Sequence, residues 1–269
     1  MTLKLLESPE DPRFVRFLEV HDPLSLRIRG AIAEREDETS IWIDSLTSPR
    51  LAIHRGRGWL APVGDEDDVV ARLDELEGMA AKMEEAGENP GRLKAQNERG
   101  VLRLSAIPVS VRDAIAEERD IERQTGCGLY TLKKEDFVPY ADGPPIDGIR
   151  EDEYEFVADL AQYGEGTSYL SERLARAPHV AVRVEGELAA YMIVHSNGSI
   201  GMLHTVEKFR NRRLGRFAAS ALAEKQFARG MPVYCYIVDG NTPSQRVFTS
   251  LGFSRVADVS WCVFKRGER

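Results

Sequence analysis

The chain has 269 residues, of which 42% are hydrophobic and 30% charged, and its formal net charge is −8 at pH 7. This composition is that of an ordinary globular protein, with length for one large or two modest domains. It excludes a disulfide-rich scaffold, because the three cysteines are widely spaced, and a membrane protein, because no stretch reaches the roughly 18 apolar residues of a span. The N-terminus lacks the basic and apolar regions of a signal peptide, so we expect a cytoplasmic location and no membrane partner.

The first half of the chain mixes strands and helices. Its patterns predict strands at 40–44, 50–54, 58–61 and 100–107 and helices at 65–87 and 111–124, the second one capped by Ser110. Gly143-Pro144-Pro145 then interrupts the pattern, which places a boundary at residues 140–145. We therefore predict two domains, residues 1–140 and residues 141–269.

The second half gives a more regular series of elements. Its patterns predict helices at 152–162, 167–177, 213–229 and 243–251 and strands at 179–184, 188–195, 199–206 and 233–238. Asn197-Gly198 is a hairpin turn between two of these strands. Such an order of elements predicts an α/β (α+β) fold.

A basic loop lies between the strand at 199–206 and the helix at 213–229. It contains Gly215 and five cations: Lys208, Arg210, Arg212, Arg213 and Arg216. The first N–H groups of a helix have no intrahelical partner and lie at the positive end of the helix dipole, so they can hold a phosphate group. Arginines beside them add charge-assisted hydrogen bonds. The loop therefore predicts a site for a small phosphorylated ligand.

Two motifs together resemble one family. Arg210-x-x-Arg213-x-Gly215 resembles the Arg/Gln-x-x-Gly-x-Gly/Ala pyrophosphate loop of the GNAT superfamily of N-acyltransferases, with Arg213 in place of the first glycine. Further along, Asn241 is followed by Phe248 and by a Leu-Gly-Phe end, which resembles the Asn, Tyr and Leu-Gly-Phe pattern of the same superfamily. The pair of motifs is much more specific than a basic glycine loop alone.

The resemblance implies a GNAT fold, in which a central, mixed but mostly antiparallel twisted sheet is flanked by helices. It also implies an acyl-CoA cosubstrate, with acetyl-CoA as the expected one. In this superfamily the central strand splays from the next strand, and the pantetheine arm lies in the gap. The acceptor loop would be residues 163–168. Residues 1–140 contain no basic glycine loop and are similar to the degenerate N-terminal copy of tandem GNAT proteins, a copy that binds no coenzyme.

The resemblance also implies which residues contact the ligands. Coenzyme contacts are expected, mostly through backbone, from Thr205, Val206, Arg210, Asn211, Arg212, Arg213, Leu214, Gly215, Arg216, Asn241 and Ser244. The positions of the usual base and acid are Ser199 and Phe248, which cannot serve, and we expect Phe248 in the core. We predict His195 as the base and Tyr236 as the acid, with Tyr234 and Ser244 as alternative acids. Glu207 could be a base, but we expect it to form a salt bridge with Arg210. Strict alternation along the strand predicts that His204 faces away from the acceptor.

The implied function is transfer of an acyl group, with acetyl as the expected one, from a CoA thioester to the amine of a small molecule or amino acid by direct attack. The basic loop without its first glycine resembles the loop of the glycine N-acyltransferase branch of this superfamily. Two alternatives stay open: a catalytically inactive acyl-CoA-binding or interaction module, and an aminoacyl transferase that uses aminoacyl-tRNA. Residues 1–140 carry 28 acidic and 20 basic side chains, and residues 141–269 carry 16 of each. This distribution argues against a nucleic-acid partner.

Overall fold

The computed structural model describes residues 3–34, 40–87, 99–160 and 166–267. Two compact units divide the chain: unit 1 comprises Met1–Ile32, Glu36–Gly128 and Ala257–Arg269, and unit 2 comprises Ala33–Arg35 and Leu129–Val256. The chain thus enters unit 2 ahead of the boundary predicted at residues 140–145 and returns to unit 1 near its end. Among the described residues, no helix combines the length and the apolar character that a membrane span requires.

Each half of the chain forms the same series of elements. The first half contains β1 (Lys4–Leu5), α1 (Pro12–Val20), α2 (Leu26–Glu34), β2 (Ser40–Ile43), β3 (Leu51–Gly56), β4 (Trp59–Gly64), α3 (Glu66–Val70), α4 (Leu73–Glu85), β5 (Val101–Pro108), α5 (Val109–Ala116) and β6 (Ile121–Leu132). The second half contains β7 (Ile146–Asp147), α6 (Tyr154–Leu160), α7 (Thr167–Arg176), β8 (His179–Val184), β9 (Glu187–Val194), β10 (Ile200–Thr205), α8 (Leu214–Ala228), β11 (Val233–Val238), α9 (Thr242–Thr249) and β12 (Ser254–Lys265). With α3 set aside, the two series match element for element, as a tandem repeat of one fold requires.

Unit 1 is built on a sheet with the strand order β1-β2-β3-β4-β5-β12-β6. Strands β2, β3 and β4 form an antiparallel meander, and β4 pairs in parallel with β5. Apolar side chains alternate between the two faces of these strands. One face packs against α1 and α2, and the other packs against α3, α4 and α5.

Unit 2 contains a four-stranded antiparallel sheet with the order β10-β9-β8-β7. Helix α8 covers one face of this sheet, where it packs on Ala190, Met192 and Val194 of β9. Helices α6 and α7 cover the opposite face, where Tyr191 and Ile193 of β9 are buried. We call this second face the α6/α7 face. Strand β11 lies beside β6, in the other sheet.

The structure corrects the sequence predictions mainly in the first half. The helix predicted at 111–124 ends at Ala116, and Ile121 begins a strand of 12 residues, β6. Two glycines within Ile121–Leu132 weaken a helix there, and pairing with neighbouring strands outweighs the charged residues that favoured one. Helices α1 and α2 were not predicted. The helix at 65–87 is divided into α3 and α4.

In the second half, the predicted helices and strands are all present within a few residues of their expected bounds. The sheet is mixed in unit 1 and antiparallel in the four strands of unit 2, so the fold class is confirmed. The three cysteines, Cys127, Cys235 and Cys262, are free and buried. Half of the expected acceptor loop, residues 163–165, lies outside the described residues.

Candidate active site

The central strand of unit 2 separates from the next strand, as the resemblance implied. Strand β10 is the edge of the four-stranded sheet, whereas β11 is the edge of the other sheet. Helix α8 packs against both strands from one side. The described strands therefore leave a gap between two sheet edges, and backbone groups on each edge can bind an extended ligand.

Backbone hydrogen bonding on β10 decides which groups face this gap. The N–H of Val206 donates to the carbonyl of Ala189 at 2.9 Å, so it is already engaged with β9. Residues of an antiparallel strand alternate between hydrogen-bonded and non-hydrogen-bonded pairs. The N–H and C=O of Thr205, one residue before, therefore point away from β9. Of the two backbone positions predicted to contact pantetheine, Thr205 has the suitable direction.

The basic loop after β10 has an unusual backbone. A short 3-10 turn at Glu207–Phe209 is followed by Asn211 and Arg213 in the left-handed region, with φ of 63° and 59°. Asparagine tolerates this region, but arginine pays a steric cost there because of its Cβ atom. Arg213 occupies the position of the family's first glycine, and its φ explains why glycine is the usual residue.

Helix α8 presents its N-terminus to the loop without a side-chain cap. Arg213 is the N-cap residue and makes no side-chain capping bond, and the first intrahelical bond runs from the Phe217 N–H to the Arg213 carbonyl at 3.1 Å. The N–H groups of Leu214, Gly215 and Arg216 precede that bond. A Cβ on Gly215 would lie 3.1 Å from Thr205 Oγ1, so glycine allows the helix end to approach β10 closely.

The exposed cations of the loop have different neighbours. Arg210 donates from Nε to the Thr205 carbonyl at 3.3 Å, and the guanidinium of Arg212 lies 5.5 Å from the centre of the Phe209 ring. The salt bridge that we expected between Arg210 and Glu207 is not formed among the described residues. These contacts keep positive charge close to the uncapped helix end, where a diphosphate would gain from it.

Arg216 has a structural role in addition to the predicted one. Its guanidinium lies 4.7 Å from the centre of the Tyr140 ring and donates to the Ser250 carbonyl at 3.0 Å. The side chain is therefore directed into the protein. Its backbone N–H, at the first turn of α8, is the group that suits a phosphate.

A β-bulge changes the direction of the side chains on β10. The register with β9 shifts between Gly201 and His204, and Met202 has a φ of 52°. Beyond the bulge, Leu203 packs toward α8, and His204 pairs with Tyr191 on the α6/α7 face. Strict alternation directs His204 to the α8 face, but the bulge inserts one residue and reverses the alternation, so His204 lies on the α6/α7 face.

His204 is held in a state that suits proton acceptance. Its ring stacks on Tyr191, with ring centres 5.6 Å apart and planes 21° apart, and it is half-buried. Burial, and then the positive charge of Arg210, lower the pKa of His204 below its ordinary value of 6.5. Its imidazole is thus mainly neutral at neutral pH.

Tyr236 lies on the other edge of the gap. Its neighbours Cys235 and Ile237 are buried against α8, so Tyr236 points to the opposite side of β11. Tyr234, on that same side, packs edge-on against Tyr236 at 6.0 Å. Because α8 packs on both strands from one side, His204 and Tyr236 border the gap on the side away from α8. The predicted acid thus lies across the gap from His204, which the sequence analysis set aside on the ground of strict alternation.

The predicted base, His195, follows the end of β9, where its Nδ1 lies 2.8 Å from the hydroxyl oxygen of Tyr169. Ser199 is buried and donates from Oγ to Asn197 Oδ1 at 2.7 Å. This bond holds the hairpin turn. Ser199, at the position of the family's usual base, therefore stabilises the turn through its hydroxyl group.

The second motif supports the helix after β11. Asn241 Oδ1 accepts a hydrogen bond from the Ser244 N–H at 3.2 Å, so Asn241 caps α9. Phe248 is buried against Phe253 with ring centres 5.0 Å apart. The prediction that Phe248 belongs to the core is confirmed. The predicted contacts of Asn241 and Ser244 with pantetheine stay predictions.

Unit 1 differs from unit 2 at the corresponding place. Its β4 and β5 are paired, at Leu60 and Leu104, so the strands there are not splayed as β10 and β11 are. The connection that corresponds to the basic loop instead forms α3, whose first turn contains Glu66, Asp67 and Asp68. Acidic side chains repel phosphate groups. In its described part, unit 1 therefore lacks both features of the candidate coenzyme site.

Comparisons with known proteins agree with this arrangement. Residues 181–262 match the model of the FR47-like protein family. No significant match was found among curated protein sequences. Among solved structures, a Drosophila protein has a TM-score of 0.72 at 16% identity, with 98% of each chain covered.

Two further structures carry descriptive names. A tandem GNAT protein from the clavulanic acid biosynthesis pathway has a TM-score of 0.61 at 16% identity, with 99% of each chain covered. A GCN5-related N-acetyltransferase from Sphaerobacter thermophilus has a TM-score of 0.61 at 10% identity, and the match covers 99% of this chain and 96% of the Sphaerobacter chain. At such low identities, the structural similarity establishes the fold alone. The chain therefore has a tandem GNAT fold, and its second copy contains the segment that matches the FR47-like family model.

Proposed function

We propose that the protein is an N-acyltransferase that moves an acyl group, acetyl in the first instance, from a CoA thioester to the amine of a small molecule or amino acid. The observation that supports it best is the coincidence of the β10–β11 gap with the uncapped N-terminus of α8. A diphosphate at Leu214 and Gly215 would place the attached pantetheine arm along Thr205, toward His204 and Tyr236.

The reaction needs a proton acceptor for the amine and a proton donor for the sulfur. In our proposal neutral His204 takes a proton from the amine as nitrogen attacks the thioester carbonyl. The carbon–sulfur bond then breaks, and the Tyr236 hydroxyl gives its proton to the departing thiolate. Return of one proton from His204 to Tyr236 through solvent restores both side chains. The lowered pKa of His204 favours this role, because a protonated imidazole cannot accept.

The coenzyme site is tested by calorimetric titration with acetyl-CoA. Arg213→Glu places a negative charge against the diphosphate. We expect at least a hundredfold loss of affinity, because the N-terminus of α8 favours negative ligands and the new carboxylate would repel the diphosphate. Arg16→Glu is the matched control, because Arg16 is an exposed arginine of α1 in unit 1. Equal affinity in wild type and Arg213→Glu would refute the site.

Catalysis is tested by thiol release from acetyl-CoA with a panel of amines. We expect turnover in the wild type and a loss of about 10²–10⁴-fold in His204→Gln. An inactive acyl-CoA-binding module is the second candidate, because Phe248 is buried in the core at the position of the usual acid. Tight coenzyme binding without turnover across the panel would support that module and exclude the enzyme.

A further inference from the structure

We infer that Tyr234 limits the length of the acyl group, because its ring stands at the closed end of the gap between β10 and β11. The inference rests on the proposed function and narrows its donor class to short CoA thioesters, acetyl-CoA and propionyl-CoA. Tyr234 is a specificity-determining residue in this arrangement.

The gap is closed where its two strands begin. Tyr234, the second residue of β11, donates from its hydroxyl to the carbonyl of Asn197, in the turn that precedes β10. On α8, the side chain of Gln226 donates to the Gly198 carbonyl at 3.4 Å, and the Gln226 carbonyl accepts from the Met231 N–H at 3.1 Å. These bonds hold the start of β11 against the turn before β10, which makes this the closed end of the gap.

The coenzyme would enter the gap from the opposite end. Its proposed diphosphate site, at the start of α8, follows the end of β10, so the pantetheine arm runs from Thr205 back toward the start of the strand. Beyond the sulfur atom, the acyl group continues in the same direction. The α8 side of the gap is filled by packed apolar side chains, among them Leu203, Cys235 and Ile237. The acyl group therefore lies on the other side, with Tyr236.

The ring of Tyr234 occupies the space that a longer acyl chain would need. It lies on the same side of β11 as Tyr236, with ring centres 6.0 Å apart and planes at 86°. Two residues along a strand span about 7 Å, so Tyr234 stands that much nearer the closed end than Tyr236 does. Tyr234 is 0% exposed, and close packing holds its ring in place. An acetyl or propionyl group ends before this ring, whereas a longer chain would overlap it.

The limit is tested by calorimetric titration of the full-length protein with acetyl-, propionyl-, butyryl- and hexanoyl-CoA. We expect the wild type to bind hexanoyl-CoA at least tenfold more weakly than acetyl-CoA, because one methylene group that does not fit a pocket changes discrimination by about 10–200-fold. Equal affinities for acetyl-CoA and hexanoyl-CoA in the wild type would overturn the inference without any substitution.

Tyr234→Ala should remove the limit, and we expect the ratio of hexanoyl-CoA to acetyl-CoA affinity to rise at least tenfold. Tyr234→Phe keeps the ring and should keep the wild-type ratio. The control is Phe264→Ala, which truncates a fully buried ring of β12 in unit 1 and should also keep that ratio. Tyr234→Leu leaves a smaller cavity and provides the same test if the alanine variant does not fold. An unchanged ratio in a folded Tyr234→Ala or Tyr234→Leu protein would overturn the inference.

Thiol release with a panel of amines separates this inference from the proposed function. Selection of the short thioesters without turnover would support the limit and refute acyl transfer. Turnover at equal rates from acetyl-CoA and hexanoyl-CoA would support acyl transfer and overturn the limit. A wild type that binds none of the four thioesters would overturn both.

Discussion

Replacing Arg213 by glycine should stabilise the protein, because Arg213 has a φ of 59°. The left-handed conformation costs a residue with a Cβ roughly 1–2 kcal/mol, and glycine avoids that cost. Glycine loses about 0.5–1 kcal/mol through its greater freedom in the unfolded chain. The two terms leave a net gain of about 0.5–1 kcal/mol for Arg213→Gly.

Arg212→Gly is the matched control for this change. Arg212 is also an exposed arginine of the loop, but it is not among the residues with positive φ. Its replacement has the entropic cost without the steric gain, so we expect a loss of about 0.5–1 kcal/mol. Urea unfolding should therefore separate the two variants by about 1–2 kcal/mol.

Arg213→Gly also tests whether the backbone of the loop or the charge of this side chain holds the coenzyme. If main-chain N–H groups at the start of α8 hold the diphosphate, Arg213→Gly should keep acetyl-CoA affinity within about tenfold of the wild type, the loss of one charge-assisted contact. Equal destabilisation by Arg213→Gly and Arg212→Gly would refute the left-handed conformation at Arg213. It would also remove our explanation for the glycine that the family has at this position.

Two further predictions concern stability. Gly252→Ala should lower the free energy of unfolding in urea by about 3 kcal/mol, because Gly252 has a φ of +99° and an added Cβ would overlap the carbonyl of Asp136. The control Gly186→Ala, with a φ of +85° and open space around it, should cost only about 1 kcal/mol. Similar losses in the two variants would contradict the close approach of Gly252 to Asp136. Burial lowers the pKa of His54 to about 3. Because the unfolded chain binds a proton near pH 6.5 and the folded one does not, stability should fall by about 2 kcal/mol between pH 6.5 and pH 5. His54→Leu should show a shallower dependence, and an unchanged slope would count against buried, neutral His54.

The second half could be predicted from the sequence because its signals are local. The apolar periodicity of residues 214–228 and the β-branched run of β11 give element type directly, and the Asn197-Gly198 turn fixes the hairpin between β9 and β10. The basic loop marks a helix N-terminus that the structure places as expected. Local propensity and tertiary pairing agree in these segments, and such agreement makes a sequence readable.

The predictions failed where pairing or backbone geometry overrides local pattern. Strand β6 begins with charged residues that favour a helix, and only its neighbours in the sheet make it a strand. At the bulge the positive φ falls on Met202 and not on its neighbour Gly201, so the sequence does not indicate where the extra residue is inserted. Without the bulge, alternation directs His204 to the wrong face. The residue that we assign as base was therefore hidden by a single inserted position.

The two copies of the fold differ in two features at the place where we propose that unit 2 binds the coenzyme. Both have the same element order, but unit 1 pairs β4 with β5 and continues from β4 into the acidic helix α3. Unit 2 leaves β10 and β11 as separate edges and continues from β10 into a basic loop. Strand pairing uses the same backbone groups that pantetheine would need. A closed pair and a bound coenzyme are therefore mutually exclusive at this place. The charge of the connection adds a second barrier in unit 1, so restoring a basic loop there without opening the strands should create no site.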